Sequence, residues 1–340
     1  MVGNDRVNRQ VTLAVRPVGE PRESDFALVE APVVEPEPGQ VLVKTLWLSL
    51  DPYQRGRMSE ARSYARPVEL GEVMAAEAVA EVVESRSSRL NSGDIVVGPF
   101  GWQEYAVADA HRLRRVDGTA PASTALHVLG MTGLTAYFGL LEVGRPLPGD
   151  TVVVSAASGA VGQVVGQLAR MAGCRTVGIA GSAAKVDDLL SLYGYDTGID
   201  YKREDVGEAL ERECPDGVDV YFDNVGGAVS DAVYRRLVVG ARIVVCGLIS
   251  QYNQERAEGP RDLRFLIVSR ARMQGFLVTD FAHRYEEALR RLAPWVGEGR
   301  LRYREDVVEG LERAPRAFIG LFRGENRGKL LVKVSEPGVG

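Results

Sequence analysis

The sequence predicts an α/β protein in which a doubly wound parallel sheet is joined to a separate β-rich lobe. Three observations predict it. The first ~125 residues carry short apolar runs broken by Pro and Gly, without regular helix–strand alternation. From near Leu126 onward, helical periodicity alternates with buried β-branched runs. One such run, Thr151-Val-Val-Val-Ser155, feeds through a turn of small residues into a helical stretch.

In the β-rich lobe, strands are read at Phe26–Glu30, Gln40–Thr45, Ala78–Val83 and Asp94–Val97. Turn residues separate them, as in Glu35-Pro-Glu-Pro-Gly39 and Asn91-Ser-Gly-Asp94. Beyond it the pattern predicts helix over Leu126–Val143, strand over Thr151–Ser155 and helix over Val161–Ala172. Strand Arg175–Ala180, helix Lys185–Tyr193, strand Val218–Phe222, helix Ala228–Val238 and strand Arg242–Cys246 follow. Strands alternating with helices require a parallel sheet with right-handed crossovers. The C-terminal part holds one more helix, His283–Val296, then the turn Gly324-Glu-Asn-Arg-Gly328 and a last strand, Lys329–Val334. Only the two termini read as disordered.

At 340 residues the chain is too long for one simple core and suits two domains. Its 45% apolar and 26% charged residues are ordinary for a globular protein with a sizeable core. A formal net charge of -5 offers no basic footprint for nucleic acid or an anionic membrane, so neither is expected as a partner. Met1–Gln10 has no apolar leader core, and no apolar run approaches the ~20 residues a bilayer span needs. A cytoplasmic location is expected. Cys174, Cys214 and Cys246 are isolated and odd in number, which fits a reducing compartment. With His111, His127 and His283 they give no clustered ligand set, so no metal is expected.

The turn after Ser155 carries most of the chemical information. Ala156, Gly159 and Gly162 have the spacing of a G-x-G-x-x-G fingerprint with alanine at its first place. Without a Cβ at Gly159 the backbone can approach a pyrophosphate, and Gly162 lets the helix pack closely on the strand. The helix N-terminus then offers N–H groups and a positive dipole end to phosphates. An NAD site places Asp or Glu at the end of the second strand, about 20 residues on. Here that strand ends in Gly181-Ser-Ala-Ala-Lys185, with a hydroxyl (Ser182) and a cation (Lys185) instead of an acid. A 2′-phosphate wants donors and positive charge, so NADP(H) is the expected cofactor.

Six motifs together resemble the zinc-free medium-chain dehydrogenase/reductases, in the group of prostaglandin reductases (leukotriene B4 12-hydroxydehydrogenases), 2-alkenal double-bond reductases and CurA-like oxidoreductases. They are Leu50–Met58 (LDPYQRGRM), Gly130–Gly139, Ala156–Gly162, Tyr221–Gly227 (YFDNVGG), Cys246–Asn253 (CGLISQYN) and Asn326–Lys329. The resemblance implies a Rossmann domain over 128–300 and a GroES-like catalytic domain over 1–127, to which 301–340 return. It implies that Ser158, Gly159, Ala160, Val161 and Gly162 hold the pyrophosphate. Gly181, Ser182, Lys185 and Tyr201 would hold the 2′-phosphate. Asn224, Cys246, Gly247, Ser250, Tyr252, Phe276, Leu277 and Val278 would line the nicotinamide end, with Thr132, Thr135 and Asn326 also at the cofactor. The implied partner is a small α,β-unsaturated carbonyl compound, and the implied assembly a homodimer using Val239–Gly247 and Arg272–Val278. The chain departs from the family in Glu72–Ala80, where Ala75, Ala76 and Ala78 stand in place of glycines.

The implied reaction is reduction of the C=C bond of an enone or alkenal without a metal. Charge gathering on the carbonyl oxygen needs a donor. Tyr252 is the candidate, and Tyr53 the second, as donor or pocket wall. A quinone reductase of the same fold and a non-enzymatic NADP-binding redox sensor stay open as alternatives.

Overall fold

The structure, a computed structural model, describes residues 6–256 and 262–338. The expectation of disordered termini falls partly outside those residues. The chain divides into two compact units. One comprises residues 1–126, 305–326 and 330–340, the other 127–304 with 327–329.

In the first unit the strands are β1 (Val7–Leu13), β2 (Phe26–Pro32), β3 (Gln40–Ser49), β4 (Ala78–Ser85), β5 (Ile95–Gly98), β6 (Tyr105–Asp109) and β7 (Arg114–Arg115). A single helical turn, α1 (Gln54–Arg57), follows β3. The second unit contains α2 (Met131–Phe138), β8 (Thr151–Ser155), α3 (Gly162–Met171), β9 (Arg175–Ala180), α4 (Ala183–Ser191), β10 (Thr197–Asp200) and α5 (Val206–Glu213). It continues with β11 (Val218–Asp223), α6 (Gly227–Tyr234), β12 (Leu237–Val245), α7 (Arg264–Val268), β13 (Arg272–Gly275) and α8 (Tyr285–Gly297). The chain then adds β14 (Glu305–Glu309), α9 (Ala314–Arg323) and β15 (Lys329–Lys333).

An antiparallel sheet in the order β14-β15-β3-β4-β5-β7, with β6 also on β3, forms the first unit beside the β1–β2 hairpin. Its core centres on Trp102, which stacks on Phe26 at 5.6 Å and meets Phe318 edge-on. The methyl groups of Ala76 and Ala78 lie in this core with Leu13, Met74 and Trp102. These methyl groups therefore fill packing space in the core.

The second unit is a six-stranded sheet in the order β10-β9-β8-β11-β12-β13, every pairing parallel. Alternate valines of β8 face opposite cores. Val152 and Val154 pack with Val164, Val165 and Leu168 of α3, while Val153 packs with Ile179 and Leu210. Burial on both faces is why the strand reads as an unbroken β-branched run.

Several elements depart from the sequence expectation. Residues 126–143 are not one helix. A 3-10 turn ends at Leu126, Gly130 caps α2 in an extended conformation, and a π-helical segment follows from Gly139 to Gly144. The His127 carbonyl accepts the Gly133 N–H at 2.9 Å, and the Val128 carbonyl occupies the space a Gly133 Cβ would need. The helix expected over 228–238 ends at Tyr234, because Leu237 and Val238 belong to β12. His283 precedes α8 in a 3-10 segment running from Val278 to Arg284. The expectation of one C-terminal helix is corrected by α9, which has Pro315 in its first turn and left-handed Gly324 (φ 68°) at its end. Strand β10 and helix α5 were not read from the sequence either, although Asp205 caps α5 by accepting the Glu208 N–H at 2.9 Å.

Candidate active site

In a parallel sheet the strand C-termini share one edge, and ligands bind there. Most of the predicted cofactor residues in the second unit follow such an end. Ser158–Gly162 follow β8, Gly181–Lys185 follow β9, and Tyr201 follows β10. Asn224 follows β11, Cys246–Tyr252 follow β12, and Phe276–Val278 follow β13. The strand order reverses between β8 and β11, so their two loops meet at the sheet's switch point.

The β8–α3 turn is a backbone cradle. Ala156 is left-handed (φ 46°), the conformation for which a fingerprint of this kind uses glycine at that place. A Cβ on Gly162 would lie 2.5 Å from the Ala156 carbonyl oxygen and 2.6 Å from Ala157 Cα. One on Gly159 would lie 3.1 Å from the same oxygen. Behind the turn, the Tyr195 hydroxyl donates to the Gly162 carbonyl at 2.7 Å, and its ring fills the place of a Gly166 Cβ. Burial pushes that phenol far up, so it stays a neutral donor.

Beside this cradle, Ser182 caps α4 by accepting the Lys185 N–H at 3.3 Å, which leaves its O–H directed elsewhere. The Tyr201 ring lies against Gly181, where a Cβ would be 2.8 Å from a ring carbon. No carboxylate stands at the β9 end, Ala180-Gly181-Ser182. One turn further, Asp188 is forked by Arg327 at 2.6 and 2.8 Å, and Arg327 also donates to the Ala184 carbonyl. This clamp fixes the first turns of α4 to the segment leading into β15.

A residue not singled out from the sequence organises the other side. Asp223, fully buried at the end of β11, accepts five hydrogen bonds. Its Oδ1 takes the Ser155 and Tyr221 hydroxyls at 3.1 and 3.0 Å and the N–H groups of Val225 and Gly226, both at 2.9 Å. Its Oδ2 takes the Ser230 hydroxyl at 2.7 Å. Its carbonyl accepts Cys246 N–H at 2.8 Å and Gly247 N–H at 3.1 Å. Three strand-end loops are thus tied to one residue. Burial, with Asp223 nearby, holds the Tyr221 phenol well above its ordinary value.

Asn224 donates its side-chain amide to the Ser155 carbonyl at 2.8 Å, and its N–H to Ser155 Oγ at 2.9 Å. The Cys246–Tyr252 loop docks on this turn through Ile249 and Ser250, whose N–H groups reach the carbonyls of Asn224 and Val225. Within the loop, the Tyr252 hydroxyl oxygen accepts the Leu248 N–H at 3.3 Å and sits 3.3 Å from where a Gly247 Cβ would be. Burial pushes the Cys246 thiol up to about 12, so it is a neutral thiol rather than a nucleophile. Phe276 occupies the notch left by Gly139. The Thr132 and Thr135 hydroxyls donate to the carbonyls of His127 and Met131, at 3.1 and 2.7 Å, and keep only lone pairs for a ligand.

Tyr53 and Asn326 belong to the first unit. Burial, with Asp51 and Glu77 nearby, drives the Tyr53 phenol far up, so it is a neutral hydroxyl at any working pH. Among the described residues, no three His, Cys, Asp or Glu side chains form a group able to hold a metal. Nor is any helix among them long and apolar enough to cross a membrane.

A family model described as the N-terminal domain of oxidoreductase matches residues 9–116, and one described as zinc-binding dehydrogenase matches residues 160–294. The NADPH-dependent curcumin reductase of Escherichia coli is 46% identical, over 96% of this chain and 97% of that one. The 2-alkenal reductase (NADP(+)-dependent) of Nicotiana tabacum is 46% identical, over 96% and 98%. The crystal structure of CurA in complex with NADPH from Vibrio vulnificus superposes with a TM-score of 0.93 at 45% identity, covering 97% of this chain and all of that one. With similarity of this extent along both units, the chain belongs to the medium-chain dehydrogenase/reductases, in the group that holds the curcumin, 2-alkenal and prostaglandin reductases.

Proposed function

We propose that the protein is an NADPH-dependent reductase of the C=C bond of α,β-unsaturated ketones and aldehydes. The observation that carries this reading is the glycine cradle at the switch point, with a tyrosine hydroxyl poised in the loop that follows β12. The cradle has the shape a pyrophosphate needs: backbone packed where Cβ atoms would otherwise stand, and a helix N-terminus behind it.

Ser158–Gly162 would hold the pyrophosphate. Ser182, Lys185 and Tyr201, around the carboxylate-free end of β9, would hold the 2′-phosphate, with Gly181 giving the Tyr201 ring its place. Asn224, Cys246, Gly247, Ser250 and Phe276–Val278 would line the nicotinamide end, joined by Thr132, Thr135 and Asn326. When bound, the cofactor supplies a hydride for the β-carbon of the substrate.

The rest of the work falls to the protein. Tyr252 donates its hydroxyl to the substrate carbonyl oxygen as enolate charge gathers there. The Leu248 N–H, directed at the Tyr252 oxygen, draws charge from that oxygen and makes the phenol a stronger donor. Tyr53, held neutral, serves as a pocket wall and second donor. Replacing Tyr252 with phenylalanine is expected to lower kcat on 3-nonen-2-one tenfold or more, about 1.4 kcal/mol of transition-state stabilisation or above, while the NADPH Kd changes little. Unchanged turnover in steady-state assays removes Tyr252 from the mechanism.

Replacing Lys185 with alanine is expected to weaken NADPH at least tenfold in calorimetric titrations and to leave NADH nearly unaffected. Equal losses for both cofactors would assign the lysine no role at the 2′-phosphate. NADPH oxidation with trans-2-hexenal and 3-nonen-2-one, set against a panel of quinones, separates the enone reductase from a quinone reductase. No turnover on any of them would leave an NADP-binding sensor.

The protein is further proposed to be a cytoplasmic homodimer. Strand β13 is the open edge of the parallel sheet, and Ile267, Val268 and Val239 beside it are 77%, 70% and 64% exposed. Its three cysteines are free thiols. Light scattering is expected to give twice the monomer mass, and Ile267→Asp is expected to halve it.

A further inference from the structure

A tyrosine outside the glycine fingerprint reaches the helix that forms the phosphate cradle. Tyr195 is buried in the bend between α4 and β10. Two glycines open a slot for its ring. In α3 the ring and its hydroxyl stand where a Gly166 Cβ would be, and in β9 a Gly178 Cβ would lie 3.1 Å from the ring carbon Cδ1. The bend itself is held on both sides of the tyrosine. The Tyr195 N–H donates to the Leu189 carbonyl at 2.9 Å. The Asp196 carboxylate accepts the N–H and the hydroxyl of Thr176, at 2.8 and 2.9 Å.

At the end of the slot the hydroxyl meets the first turn of α3. It donates to the Gly162 carbonyl at 2.7 Å and accepts from the Gly166 N–H. A neutral phenol can do both at once. Gly162 opens α3, so these are the two groups that the helix itself joins across one turn. The phenol therefore grips the first turn at a pair the helix already makes.

The same turn faces the ligand with its other end. The Gln163 N–H donates to the Gly159 carbonyl, and those of Val164 and Val165 to the Val161 carbonyl, each at 3.0 Å. A diphosphate would be answered by the N–H groups ahead of them, at Ala160, Val161 and Gly162. Gly162 thus carries both the last of these donors and the carbonyl that Tyr195 holds. A tie at that carbonyl sets where the donors point.

We propose that Tyr195 is a positioning residue for the diphosphate of the cofactor, acting through Gly162. This rests on the NADPH-dependent reading above and adds to it a group that the fingerprint spacing does not include. The test uses Tyr195→Phe, which keeps the ring in its slot and the helical bond between Gly162 and Gly166, and removes only the hydroxyl.

Calorimetric titrations compare NADPH, NADH and ADP-ribose, which all carry the diphosphate, with 2′-AMP, which carries the 2′-phosphate alone. In Tyr195→Phe the Kd of the first three should each rise about fivefold or more, the scale of one neutral hydrogen bond. That of 2′-AMP should change by less than about twofold. The KM for NADPH should rise in step, while kcat on 3-nonen-2-one at saturating NADPH is retained. Unchanged affinity for the three diphosphate ligands overturns the proposal. So does an equal loss for 2′-AMP, which would make the tyrosine a general support of the fold, and so does a fall in kcat without a rise in KM. A wild-type protein that binds no NADPH strikes instead the cofactor reading beneath the proposal. One that binds NADPH but leaves 3-nonen-2-one unreduced strikes the enone reading, and the titrations still decide the role of Tyr195.

Discussion

Gly162→Ala is expected to cost the protein at least a hundredfold in NADPH affinity, about 2.7 kcal/mol. The added methyl would stand 2.5 Å from the Ala156 carbonyl oxygen, 2.6 Å from Ala157 Cα and 2.8 Å from the Ala157 carbonyl carbon. All three are backbone atoms, so no rotamer change relieves the clash. Helix α3 must move off the turn, which removes the N–H groups that form the cradle. Overpacking of this kind also costs roughly 1–3 kcal/mol of stability. Gly159→Ala, with a single neighbour at 3.1 Å, is the milder comparison for folding. Calorimetry and thermal melts check both effects. NADPH affinity within threefold of the wild type in Gly162→Ala would mean that the turn is not the phosphate site.

Asp223→Ala is expected to be among the most destabilising single changes in the second unit. It strands the hydroxyls of Ser155, Tyr221 and Ser230 and the N–H groups of Val225 and Gly226. An unanswered buried donor costs about 1–3 kcal/mol, and the losses are not additive because the loops can relax. A net loss of about 4 kcal/mol follows, or a fall in Tm of roughly 8–16 °C at 2–4 °C per kcal/mol. Asp223→Asn keeps an acceptor and sets an amide against the remaining hydroxyls, so it should lose less. NADPH affinity should fall in both variants, because the loops carrying Ser155, Asn224 and Cys246 share this anchor. A melting temperature in Asp223→Ala within about 2 °C of the wild type would show that the five bonds contribute little.

These two positions differ in how far the sequence announces them. Gly162 belongs to a spacing with a physical reason, and the flanking Val152–Ser155 and Val164–Leu168 declare strand and helix by burial pattern alone. The parallel order of the strands then brings the loops after β8, β9, β10, β11, β12 and β13 to one edge. Asp223, by contrast, is an acid in a loop-like Asp-Asn-Val-Gly-Gly run. Ser155, whose hydroxyl ties it to the end of β8, lies 68 residues away, so the sequence around Asp223 does not show what it anchors. The same limit hid β10, whose Thr-Gly-Ile-Asp has no apolar run and, among the described residues, pairs only with β9. The stretch 126–143 departs from its helical periodicity because Gly130 is extended and Gly133 packs directly against the backbone of Val128. Helix α9 is bounded by Pro315 in its first turn and Gly324 at its end, the signals by which a sequence marks a helix.

The most direct test of the account uses NADPH carrying deuterium at nicotinamide C4 on each face in turn, with 3-nonen-2-one as substrate. Mass spectrometry and NMR of the product should find one deuterium on the β-carbon of 2-nonanone from one of the two labelled cofactors. Deuterium on a carbinol carbon, or NADPH left unconsumed, would contradict double-bond reduction.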